Sequence, residues 1–102
     1  MKEQNVDSDW RTVQVFISSQ AAGVFEVEVD TASRGVRCTC PVWKKTKFCK
    51  HTEFVSSRMR VNNGNYSIQI PHDVPEEMAF DASDDARSFR EFVLRYAKIE
   101  VI

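Results

Sequence analysis

The sequence predicts an α+β domain, with a small antiparallel sheet of three to four strands, a central helix and a C-terminal helix. Three observations carry this expectation. Early segments alternate apolar and polar residues with a period of two, the signature of strands. Two later segments repeat apolar residues at helical spacing. The 102 residues, 42% hydrophobic and 28% charged with three glycines and three prolines, suffice for one domain with a modest core. The same composition excludes disordered, collagenous and low-complexity chains. No apolar run approaches the roughly 18 residues of a membrane span.

Residues 1–9 are polar and partly acidic. They are expected to form a flexible N-terminus without a signal peptide. From Trp10 the pattern alternates, with Val13, Val15 and Ile17 set against Thr12, Gln14 and Phe16. Ser18 to Gly23 is a loop. Phe25, Val27 and Val29 then alternate with Val24, Glu26 and Glu28 in a second strand with an acidic face. Asp30 to Gly35 is a turn in which Gly35 is suited to a positive φ. A third segment, Val36 to Cys40, completes a hairpin, and Pro41 ends it because proline offers the ladder no N–H. The residues up to Cys49 are expected to be a return loop.

Residues 50–60 predict a helix, since Phe54, Val55, Arg58 and Met59 recur at helical spacing from His51. Asn62-Asn63-Gly64-Asn65 is a turn signal. Tyr66, Ile68 and Ile70 alternate as a fourth strand, and 71–81, with two prolines and four acids, is expected to be a loop. Ser83 is the expected N-cap of the last helix, with Asp84 and Asp85 in its first turn, where acids suit the dipole. Ala86, Phe89, Phe92, Val93 and Tyr96 form its apolar stripe. The organisation is therefore a flexible start (1–9), a core unit (10–60), a turn, strand and loop (61–81), and a helix and tail (82–102) packed on the same domain.

The chemistry concentrates in Cys38-Thr39-Cys40, eight residues, then Cys49-Lys50-His51. Three cysteines make a poor disulfide framework. Three thiolates and one imidazole make a closed tetrahedral zinc site, and soft sulfur disfavours magnesium, calcium or manganese. Positions i and i+2 of an extended segment point the same way, so Cys38 and Cys40 can face one ion. Inside a helix that offset would separate Cys49 and His51 by about 200°. Cys49 is therefore expected just before the helix, with His51 in its first turn. Neighbouring lysines favour the thiolates.

These residues resemble the SWIM zinc finger, whose pattern is C-x-C, a variable spacer, then C-x-H. The likeness covers residues 24–58, about a third of the chain. It includes the aliphatic strand (Val27, Val29), the proline after C-x-C (Pro41) and the lysine before the histidine (Lys50). Thr52-Glu53 departs from the more aliphatic helix start usual in the family. The resemblance implies a hairpin packed on a helix, one structural zinc ion held by Cys38, Cys40, Cys49 and His51, and a function of binding DNA or proteins.

Charge is unevenly spread. Residues 34–60 carry eight basic side chains against Glu53 alone, whereas 1–33 and 73–102 each sum to −4 and the whole chain to −1. Weak DNA binding is expected through Arg37, Trp43, Lys44, Lys45, Lys47 and Lys50, with the lysines on phosphates and Trp43 stacking. Trp43 and Phe48 have a second reading, as hydrophobes covering the metal site. His72 is expected to be a plain loop histidine. Four protein ligands leave zinc no open position, so no enzyme is expected. The alternative function is a protein adaptor. It would use Glu76, Glu77, Asp81, Asp84 and Asp85 for steering and an exposed Phe92 or Leu94 as anchor. On that reading a chain ending near Asn65 keeps its zinc. A monomer in cytoplasm or nucleus is expected.

Overall fold

The structure, a computed structural model, describes residues 8–20 and 23–102. Most of the N-terminal segment expected to be flexible, residues 1–7, lies outside the described residues, as do 21–22 of the first loop. Asp9 is already anchored, its N–H donating to Asp30 Oδ1 at 2.8 Å.

The α+β class holds. Strands β1 (Trp10–Ile17), β2 (Val24–Asp30) and β3 (Val36–Cys38) form an antiparallel meander. A fourth strand, β4 (Glu100–Val101), joins β1 in parallel, so the sheet is mixed with order β3-β2-β1-β4. It does not come from the segment that alternates in sequence. Residues 65–70 run extended with every second side chain half-buried, but outside the ladder. Gln69 O accepts a bond from Lys98 N at 2.9 Å. The alternation there records a chain lying on the core, which needs no strand partner.

Helix α1 (Pro41–Thr46) follows β3, α2 (Lys50–Arg60) packs over β2 and β3, and α4 (Ala86–Tyr96) packs on β1. The main core holds Val13, Phe16, Val27 and Val29 of the sheet with Val55 and Met59 of α2. Val15 of β1 and Phe92 and Val93 of α4 are buried outside that cluster. With helices on both faces, β1 cannot show the one-sided burial its alternation suggests. Thr12 through Phe16 are all buried, and a bulge at Val13 shifts the register between Thr12 and Gln14. The bulge lets Val13 and Phe16, three apart, enter the same core.

Four local expectations change. Residues 76–82 form a helix, α3 (Glu76–Ala82), entered at Pro75, with Glu76 and Glu77 in its first turn. Ser83 closes α3 and does not cap α4. Asp85 is the α4 N-cap, its Oδ1 accepting from Ser88 N at 2.7 Å. In the Asp30–Gly35 turn it is Arg34, at φ 66°, that takes the left-handed conformation. Arg34 Nη1 donates to Gly64 O (2.7 Å) and Asn65 Oδ1 (3.1 Å). That clamp ties the hairpin to the 62–65 turn, where Gly64 sits at φ 84°. Finally, Phe92 is only 8% exposed and cannot be a free anchor, while Leu94 is 38% exposed. Among the described residues no helix is long and apolar enough to cross a membrane.

Candidate metal centre

The residues around each cysteine explain how the ligands meet. Cys38 ends β3, and its Sγ accepts the N–H of Cys40 at 3.4 Å. Cys40 is the N-cap of α1, with Pro41 in the first turn and Sγ accepting from Trp43 N at 3.4 Å. Lys47, left-handed at φ 61°, stops α1 and turns the chain back. Cys49 is the N-cap of α2, and its Sγ accepts from Thr52 N at 3.4 Å. Two successive helix starts thus aim backbone donors at sulfur, in the place usually held by a Ser or Asp oxygen. The spacer expected as a loop is a short helix because Cys40 caps it and Pro41 presets its first φ.

His51 lies in the first turn of α2, as its offset from Cys49 requires. The ligand atoms of Cys38, Cys40, Cys49 and His51 all lie within 4.8 Å of one another, and all four residues are buried. His51 Nδ1 is 3.7 Å from Cys38 Sγ. An N–S edge of a zinc tetrahedron, from bonds of about 2.0 and 2.3 Å, is about 3.5 Å. The imidazole is steadied by Phe16 and Phe25, at centroid distances of 4.8 and 5.5 Å. Its Nε2 is buried with no hydrogen-bond partner. Three sulfurs and one nitrogen, converging from four buried residues, fit a single metal ion and supply the donor set of a structural zinc site.

The electrostatics of the protein alone fit the same role. Burial pushes the Cys38 thiol well above the usual range. Burial is the largest influence on Cys49 and opposes its ionisation, but hydrogen bonds from the Thr52 backbone and side chain, Cys40 and the His51 backbone together lower that thiol. Burial, then the charge of Lys50, lowers His51, favouring the neutral imidazole that binds metal. Thr52 is the residue that the sequence reading undervalued. It is itself buried, with its N–H on Cys49 Sγ and its hydroxyl between Cys49 O at 3.1 Å and Cys49 Sγ at 3.5 Å. Its place three residues after an N-cap is the available signal.

The residues expected on nucleic acid divide. Lys44, Lys45, Lys47 and Lys50 are exposed along α1 and the start of α2. Among the described residues none of them forms an ion pair. Lys47 Nζ lies 4.5 Å from the Trp43 ring centroid. Arg37 is engaged elsewhere, paired with Glu28 and stacked 4.2 Å over Trp10. Trp43 is half-buried against the core, whereas Phe48 is 67% exposed and lines the cleft that opens on Cys40, Cys49 and His51. His72 is exposed and outside the cluster. Comparison of this chain with family models, curated proteins and solved structures gives no match.

Proposed function

We propose that the chain is a SWIM-type binding module, stapled by one zinc ion and without catalytic activity, whose ligand is nucleic acid. The zinc reading is supported by the buried Cys38, Cys40, Cys49 and His51 cluster. Bound there, zinc would neutralise thiolate charge and tie the β2–β3 hairpin to the starts of α1 and α2. Four protein ligands leave no position for a reacting water. The observation that favours nucleic acid is the run of four exposed lysines, Lys44, Lys45, Lys47 and Lys50, none of which forms an ion pair among the described residues.

Two measurements test this. Native mass spectrometry of protein purified without added metal is expected to show one zinc; its absence ends the zinc reading. Titration of labelled DNA at two salt concentrations is expected to show weak binding with a log–log slope near −0.9 per phosphate neutralised on duplex. No binding at low salt ends the nucleic-acid reading. A protein partner is the second reading, favoured by Phe80, 76% exposed between Glu77 and Asp81. It is tested with Phe80→Ala in the whole chain, because truncation near Asn65 would strip α4 and β4 from β1.

A further inference from the structure

A cleft of about 470 Å³ opens directly onto the candidate metal ligands Cys40, Cys49 and His51, and Val42, Phe48 and Lys50 also line it. Val42 is 57% exposed and Phe48 67%, although each would gain from burial. Phe48 is also held in place. Thr46 Oγ1 accepts from Phe48 N at 3.3 Å, and its single hydrogen is shared between Phe48 O and Val42 O, each 2.9 Å away. One hydroxyl therefore fixes the backbone at both exposed apolar side chains. The four exposed lysines lie within four residues of Phe48, so cationic and stacking groups are interleaved along one short stretch.

We infer that this cleft takes an unpaired base of single-stranded nucleic acid, stacked on the Phe48 ring, while the lysines hold the flanking phosphates. The inference rests on the nucleic-acid reading above and narrows it to single strands. A duplex stacks its bases on each other and offers the cleft none; it meets only the lysines. A single strand presents a π-face and a phosphate a few ångströms apart, the combination that aromatic and basic residues recognise together. The cations make an acidic ligand the fitting one, and no carboxylate lines the cleft.

The test uses the whole chain, zinc-loaded, with a labelled oligothymidylate about 12 nucleotides long and a duplex of equal length. The single strand is expected to bind more tightly. Phe48→Ala should weaken it about tenfold, leave the duplex unchanged and leave the salt slope unchanged. Phe48→Trp should keep the affinity, and Phe48→Leu, apolar but without a π-face, should lose it. Lys45→Ala should weaken both probes and flatten the salt slope. Phe48 makes no side-chain contact that its exposure would let the fold depend on, and circular dichroism of each variant checks this. If Phe48→Ala leaves the single strand untouched, or weakens both probes equally, the stacking site is wrong while the nucleic-acid reading stands. If neither probe binds wild type at low salt, both fall and an acidic peptide becomes the fitting occupant.

Discussion

Arg90 grips Glu26 with two prongs, Nε donating to Oε1 at 2.9 Å and a terminal guanidinium nitrogen to Oε2 at 2.8 Å, across 64 residues of sequence. The backbone of Glu26 is meanwhile bonded to Thr39, the residue between the first two cysteines. Its N–H donates to Thr39 Oγ1 at 3.0 Å, and its carbonyl accepts from Thr39 N at 3.1 Å. Glu26 thus joins α4 to the hairpin that carries Cys38 and Cys40.

The Arg90 hydrogen bond holds the Glu26 carboxyl below the usual glutamate range, outweighing burial, with help from Thr12. A carboxyl lowered in the folded state stabilises above the unfolded pKa, and that contribution is lost as pH falls through the lower, folded value. Titration by carboxyl NMR is expected to place Glu26 below ordinary glutamates in wild type and to move it upward in Arg90→Ala. Arg90 is half exposed, so the stability loss should stay within about 1 kcal/mol.

Removing the metal should unfold the site region. With a strong chelator, or in Cys38→Ser, helix signal from residues 41–60 is expected to collapse in circular dichroism and return on adding zinc to the wild type only. Structural zinc in small fingers supplies about 10–16 kcal/mol of apparent binding energy. Retained helicity after demonstrated metal loss would refute the prediction.

Thr52→Val removes the hydroxyl that touches both Cys49 Sγ and Cys49 O and keeps the shape and the backbone bond. Zinc affinity, measured by competition with a chromophoric chelator, should fall about tenfold, the low end for supporting hydrogen bonds around metal ligands. Unchanged affinity would show the hydroxyl to be idle.

Tyr66 Oη donates to Oε1 of the buried Gln14 at 2.7 Å, and burial pushes the phenol up to about 12. The same Gln14 donates through Nε2 to Lys98 O at 2.8 Å. Tyr66→Phe strands a buried acceptor and should cost about 1–3 kcal/mol in urea melts, with zinc content unchanged.

The metal site was legible because its constraint is local. The offsets between ligands place Cys49 before a helix and His51 inside it, whatever surrounds them. Periodicity also found β1, β2, α2 and α4. It misjudged what depends on distant partners. Residues 66–70 alternate like a strand, yet the place beside β1 belongs to Glu100–Val101. Arg34, not Gly35, turns left-handed because the carbonyl of Gly64 awaits its guanidinium. Phe48 looked like core for its residue type, while the tether through Thr46 keeps it outside. Asp85 outcompeted Ser83 as a cap because α3 had already claimed Ser83 as its own end.

The parallel pairing of β4 with β1 divides the molecule in time. The metal ligands span only residues 38–51, so closing that loop carries a small entropic cost. The far edge of the sheet must wait for a search across 84 residues, from Gln14 to Lys98. Contacts of that separation slow folding. On the zinc reading, the ion is captured by a hairpin and two helix starts while β1 still has a bare edge, and such an edge invites pairing with another chain. The interval between metal capture and arrival of the C-terminal strand is then the period in which this protein is most prone to aggregate, and zinc alone does not shorten it.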